Sequence, residues 1–213
     1  MYKPEELKKL QIKPKINDIS LIVLKRYYSM YLVPFIFTYN IIKPSGVRST
    51  IKLKFDEKSF CHLLGLETIA KGSVKYKEIS EYRGHKGWNN IENGEIDFKR
   101  LKDLNKKKFQ SVKAKFVYFY LLPDLIEQPM AVLFDNKRVN PRVKIESEIL
   151  FYNKYENAVI HLGIDKNEKD EKDDLYYPRT FFVEKLGKDN VEDIYTVNQI
   201  KIIVEKEKRI ICI

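Results

Sequence analysis

Apolar and polar positions alternate with two different periods along this chain, and the changes of period mark its elements. Residues 4–15 are polar and read as a short helix followed by an extended link. Asn17 or Asp18 then offers an N-cap for a helix through Leu21, Leu24, Tyr28 and Leu32, with Lys25 and Arg26 on its outward face. From Val33 to Ile42 the period becomes two, with Phe35, Phe37, Tyr39 and Ile41 on one parity. A Pro44-Ser45-Gly46 turn leads to the alternating Ile51, Leu53 and Phe55, which predicts a hairpin. That hairpin feeds the stretch K-F-D-E-K-S-F-C-H-L-L-G-L, from Lys54 to Leu66. Asp56 is a good N-cap there, Phe60, Leu63 and Leu64 recur at helical spacing, and Gly65 is a natural stop. At ~100° per residue the apolar stripe is centred between Leu63 and Leu64, which leaves His62 on the opposite side, off the core.

Periodicity fades between Ala70 and Gly94, where a long loop with some helix is expected around Trp88 and His85. Helical spacing returns from Glu95 to Asp124, in one phase at Phe98, Leu101 and Leu104 and in another at Phe109, Val112, Phe116 and Tyr120, so a break is expected near Asn105. After Pro129 the pattern is that of strands: Met130 to Phe134, then Ile145 to Phe151, then Ala158, Ile160, Leu162 and Ile164 as one apolar parity. His161 falls on the other parity, facing away from any helices that cover the first face. Asp165 to Asp174, with six acids and three lysines, is expected to be a charged hairpin loop. Tyr176 to Glu184 reads as a strand with Arg179 among bulky neighbours; an arginine there either pairs with a carboxylate or points into a polar cleft. The segments Tyr195 to Val204 and Arg209 to Ile213 read as a closing hairpin that turns through Glu205 to Lys208.

Composition narrows the class. The chain has 213 residues, 44% of them hydrophobic, enough for a substantial core. It is expected to be an α+β protein, with a helical extension at 1–30 and a single domain at 31–213 whose strand-rich part is 130–213. A formal charge of +10 favours a polyanionic partner, though the excess is of lysine and matches a Lys-rich, Ala-poor bias throughout. The basic residues concentrate between Gly94 and Tyr118, where eight stand against three acids. Lys99, Arg100, Lys102, Lys106, Lys107, Lys108 and Lys113 on these helices, with Arg83, Lys86 and Trp88 before them, form either a nucleic-acid surface or a solvated face. Cys61 and Cys212 are far apart and read as reduced thiols. No signal-peptide layout is visible at the start, and the longest uncharged run, Tyr27 to Ile42, contains Pro34 and Asn40 and is short of a membrane helix. The expected place is the cytoplasm.

Several chemistries lack their residues. There is no Walker-type loop, no G-x-G-x-x-G, no C-x-x-C pair and no H-E-x-x-H. Asp135 with Glu146 and Glu148 lacks the lysine that a metal-dependent nuclease places beside its acids. No cofactor or metal is expected. His, Arg, Lys, Tyr and Thr remain, the side chains of a metal-independent ribonuclease.

The runs F-C-H-L-L-G-L, I-E-N-G-E-I-D-F-K-R-L-K, F-Y-L-L-P-D-L-I-E-Q-P and Y-Y-P-R-T-F-F-V-E, in this order, resemble a phage- and mobile-element-associated branch of the barnase, EndoU, colicin and RelE-like nuclease superfamily. The resemblance runs from about Tyr31 to the C-terminus. It implies helices packed on one face of a twisted antiparallel sheet, preceded by an N-terminal hairpin and helix, with RNA as substrate. It also implies a role as a toxin or in conflict between mobile elements and hosts, with an antitoxin or immunity protein as a partner. The motifs carry His62 and Arg179-Thr180 into the site: His62 as acid or base, Arg179 on the phosphate, Thr180 as a hydrogen-bond donor. Tyr177 joins them to position a base or leaving oxygen, and His161 as a second acid-base candidate. The rival reading is a non-catalytic nucleic-acid-binding protein of a mobile element; a protein-interaction module with merely compositional charge is the third.

Overall fold

The computed structural model describes residues 1–140, 143–155, 157–166, 174–186 and 193–211. The chain divides into two compact units that interleave in sequence: Met1–Pro34 with Asp56–Leu121, and Phe35–Phe55 with Leu122–Ile213.

The first unit contains α1 (Pro4–Leu7), α2 (Leu21–Tyr31), α3 (Phe60–Leu64), α4 (Leu66–Ala70), α5 (Gly84–Glu92), α6 (Phe98–Leu104) and α7 (Lys106–Tyr118). Ser20, rather than Asn17 or Asp18, caps α2, accepting a hydrogen bond from the Val23 amide at 3.3 Å. α2 buries Tyr27 and Tyr28 completely, and each phenol finds a carbonyl: Tyr27 donates to Tyr120 at 2.7 Å and Tyr28 to Asp56 at 2.8 Å. Around Tyr28 pack Phe60, Trp88 and Phe119, their ring centroids 5.3, 6.1 and 6.1 Å away. Lys25, expected on the outward face of α2, is instead 5% exposed. Its ammonium lies 4.4 Å from the Trp88 ring centroid and 2.5 Å from Glu92, so the aromatic face and the carboxylate together replace water. α5 approaches α3 closely enough that a Cβ on Gly87 would stand 2.8 Å from the Cys61 sulfur, which is why a glycine is needed there. The expected helix break is real, for Asn105 ends α6 and caps α7, accepting from the Lys108 amide at 3.0 Å.

The second unit contains α8 (Leu122–Glu127) and seven strands: β1 (Phe35–Ile42), β2 (Arg48–Lys54), β3 (Met130–Leu133), β4 (Ile149–Tyr155), β5 (Ala158–Lys166), β6 (Leu175–Lys185) and β7 (Ile200–Ile211). The α+β class holds, and β1 with β2 is the expected hairpin. The sheet is not an open twisted one. It closes into a barrel in the order β1-β2-β6-β5-β4-β3-β7. Neighbours are antiparallel except β2 and β6, which meet in a short parallel pairing at Lys52↔Leu175 and Leu53↔Tyr176. The closure depends on β7, read from sequence as a hairpin but in fact one strand. It pairs with all of β1 and with Ala131 to Leu133 of β3. Its central charges are held by partners rather than turned into a loop: Lys206 bonds Glu127, and Glu207 accepts from Asn40 at 2.7 Å. One parity fills the interior with Phe37, Tyr39, Leu53, Phe151, Ile160, Leu162 and Phe181, all 0% exposed. The charged loop expected at Asp165 to Asp174 lies mostly outside the described residues, as does Cys212. No helix among the described residues is long and apolar enough to cross a membrane.

Candidate functional site

In the first unit the site is built on the C-terminal turn of α3. Asp56 accepts from the amide and hydroxyl of Ser59, at 3.0 and 2.7 Å, and so starts the tight turn that leads into α3. Gly65 ends the helix at φ 75°, in the left-handed region, and its amide donates to the carbonyls of Cys61 and His62. Within this turn Phe60, Cys61, Leu63 and Leu64 are buried and His62 is exposed, as the helical phase predicted. Cys61 is no nucleophile, since burial pushes its thiol up to about 12.

α7 packs against this turn, and it brings a residue that sequence reasoning missed. A Cβ added to Gly65 would lie 3.2 Å from Val112 Cγ1 and 3.7 Å from Lys115 Nζ. Lys115 is half-buried, and burial brings its pKa from 10.5 down to about 8. Its signal in the sequence was position: Lys108, Val112 and Lys115 stand at i, i+4 and i+7, one stripe of α7, and Val112 was already assigned to the core.

The basic residues of the helices divide by exposure. Lys99, Arg100, Lys102, Lys106 and Lys107 are exposed, whereas Lys108 and Lys113 are half-buried. Lys108 donates to the Lys71 carbonyl at the end of α4. Arg83 lies 3.7 Å from Glu67, Lys86 pairs with Glu81, and His85 is 3.9 Å from Glu57. Trp88, expected as a base-stacking platform, is 5% exposed with its ring among Tyr28, Phe60 and Lys25, so no base reaches it without opening the core.

The second unit holds Tyr177, Arg179, Thr180 and His161. The register of β5 and β6 passes from Gly163↔Thr180 to Ile164↔Pro178, so Arg179 is the extra residue of a bulge. Its side chain is exposed and pairs with Glu146 at 3.2 Å, an ion pair open to solvent and therefore weak. Thr180 is half-buried beside Gly163, whose missing Cβ leaves room for Thr180 and Ser147. Tyr177 is half-buried, and the neighbouring Tyr176 donates to Glu148 at 3.0 Å.

His161 does lie on the face away from the barrel interior, in register with Tyr152 and Phe182, but that face is covered. Val132, Leu150, Tyr152 and Val159 form a second small core there, capped by Tyr195 and its neighbours. His161 is 0% exposed, stacked on Phe182 at 4.3 Å and 2.9 Å from Asp193 through Nε2. The expectation of a surface histidine facing a ligand is overturned. Asp193 also accepts from Thr196 Oγ1 at 2.7 Å and from the Tyr195 amide at 3.0 Å, and the Glu184 carboxyl, which accepts from the Ile194 amide at 3.4 Å, lies within 4.8 Å of it. Although burial pushes the Asp193 carboxyl up, its interactions with His161, Glu184 and Thr196 outweigh it and hold the group below its ordinary value. Glu184 moves the other way, raised by burial and by Asp193, so it carries the proton the pair shares. The candidate ligand atoms of His161, Glu184 and Asp193 lie within 4.8 Å of one another, the one such grouping among the described residues. Its hydrogen bonds already give Asp193 an internal role, fastening the 193–199 turn onto β5 and β6.

Of the expected site residues, His62 thus belongs to the first unit, and Tyr177, Arg179, Thr180 and His161 to the second. No curated protein and no solved structure matches the chain. A family model does, from residue 28 to residue 211, a span that takes in the last turn of α2, α3 to α8 and all seven strands: the chain belongs to the phage-Barnase-EndoU-ColicinE5/D-RelE like nuclease4 family.

Proposed function

We propose that the protein is a metal-independent endoribonuclease that acts as a toxin or in conflict between phages or mobile elements and their hosts. Membership of the nuclease family supports a nucleic-acid substrate. The observation that carries the reading further is the exposed His62 on the C-terminal turn of α3, a turn otherwise made of buried side chains and packed against Val112 and Lys115 of α7. RNA cleavage without a metal uses the adjacent 2′-OH as nucleophile and needs a group to take its proton, a group to protonate the leaving 5′-oxygen, and cations for the charge on the phosphorane. An exposed imidazole offers both a proton acceptor and, when protonated, a donor. In this reading Arg179 leaves its exposed partner Glu146 to hold a phosphate, with Thr180 and Tyr177 assisting. His161, shut inside the second unit, supports its fold rather than the reaction.

Purified protein is incubated with total RNA and a labelled single strand in EDTA, beside His62→Ala and Arg179→Ala. Cleavage that survives EDTA and disappears in both variants is the expected result. Cleavage that needs a divalent cation, or that persists in His62→Ala, refutes the mechanism. Salt-sensitive binding without cleavage would identify a nucleic-acid-binding protein instead.

A further inference from the structure

α4 is bracketed by two left-handed glycines, Gly65 at φ 75° and Gly72 at φ 74°, and α7 turns a lysine toward each of them. A Cβ on Gly72 would lie 3.6 Å from Lys108 Nζ, and one on Gly65 would lie 3.7 Å from Lys115 Nζ. The two lysines then differ. Lys108 has an acceptor, the Lys71 carbonyl at the end of α4, where the helix dipole favours a cation. Lys115 reaches the matching place at the end of α3, where the carbonyls of Cys61 and His62 accept from the Gly65 amide and neither accepts from its ammonium. No ion pair or hydrogen bond joins the Lys115 ammonium to another group among the described residues. Burial lowers its pKa with no carboxylate acting against it. A lysine so placed costs folding free energy that a methionine of similar length would not. The missing Cβ of Gly65 is what lets α7 approach this closely, since a methyl there would press on Val112 Cγ1 at 3.2 Å.

We propose that Lys115 is an anion ligand of this protein: its ammonium, seated at the turn that carries His62, binds a non-bridging phosphate oxygen of a nucleic-acid backbone. The proposal rests on the reading of the protein as one that acts on nucleic acid, and it extends that reading to a residue no motif singles out. It separates Lys115 from the exposed lysines of α6 and α7, which meet phosphate, if at all, through a full hydration shell and are interchangeable.

The test is equilibrium binding of a fluorescent 2′-O-methyl RNA strand, which the 2′-OH route cannot cut, to the full chain and to Lys115→Met, Lys115→Arg and the exposed control Lys9→Met, across a salt series. Loss of one phosphate contact on a single strand lowers the slope of log affinity against log salt by about 0.7 and the affinity at 0.1 M salt by about fivefold relative to 1 M. Lys115→Met is expected to show that loss, Lys115→Arg to restore it and Lys9→Met to behave as wild type. Thermal melting of Lys115→Met should give a Tm equal to or above wild type. Wild-type affinity and slope in Lys115→Met, no binding by wild type, or a lowered Tm that reveals a structural partner for Lys115 would each overturn the proposal. The ribonuclease reading fails separately: RNA left uncut by a wild type whose binding depends on Lys115 refutes cleavage and leaves the ligand in place.

Discussion

Both units take ionisable groups out of water, and they treat them in opposite ways. On the covered face of β4, β5 and β6, Asp193 has three hydrogen-bond partners, His161, Thr196 and the Tyr195 amide, so that the buried charge is held, while His161 Nδ1 and Glu184 Oε2 beside it have no partner among the described residues. At the seam of α3 and α7, Lys115 is half-buried with burial alone acting on it. The first arrangement holds its turn in place and shuts its histidine away from solvent. The second costs stability and leaves its cation ready for an anion. Lys25 shows that the first unit can also satisfy a buried lysine, with Glu92 and the Trp88 ring, so the lack at Lys115 is local.

The contrast is broken most forcefully at its satisfied end. Asp193→Ala removes the acceptor shared by His161, Thr196 and the Tyr195 amide and releases the 193–199 turn. Removing one partner of a buried pair costs about 3–5 kcal/mol. At about 2–4 °C per kcal/mol for a chain of this length, Tm should fall by roughly 6 °C or more. A melting curve within a degree of wild type would show that the network is incidental.

A smaller effect sharpens the account of the shared proton. Glu184 is raised above its ordinary 4.5 in the folded chain, so from 4.5 up to that raised value the folded state holds a proton that the unfolded state has released. Stability therefore falls as pH rises through this window, by at most about 1.4 kcal/mol per pH unit. Gln at 184 keeps a donor toward Asp193 and does not titrate. Urea midpoints of Glu184→Gln measured from pH 5 to pH 8 should be flatter than those of wild type; parallel curves would mean that the proton lies elsewhere.

The smallest change comes at the unsatisfied end and has the opposite sign. Lys115 titrates near 8 when folded and at 10.5 when unfolded, so its contribution is destabilising at neutral pH and is relieved as pH rises across that window. Lys115→Met should raise Tm at pH 7 by about 2 °C and remove the gain in stability between pH 8 and 10.5. A gain that persists in the variant would assign it to another group.

Much of the local structure was legible because it depends on near neighbours. Asp56, Gly65 and Asn105 act where their side chains or lack of one demand, and the period of Phe60, Leu63 and Leu64 placed His62 outside the core. Apart from the cap of α2, where Ser20 acts in place of Asn17 or Asp18, the misreadings came from partners distant in sequence. Lys25 and Trp88 looked exposed until Glu92 and Tyr28 met them. The run Glu205 to Lys208 looked like a turn until β1 paired with it. His161 looked like a surface residue because its parity is small at Gly163, and it is covered by the 193–199 turn, more than thirty residues away, together with Phe182.

The sequence by itself therefore determined the order and type of most elements, the exposure of His62 and the family, since these follow from local periodicity, capping and the order of motifs. Tertiary structure alone decided that the sheet closes into a barrel, that one histidine is sequestered and that Lys115 stands without an acceptor at the His62 turn. The physical reason is that burial belongs to a pair of surfaces: a side chain's dielectric surroundings are set by what the fold lays over it, and periodicity records only the side on which it stands.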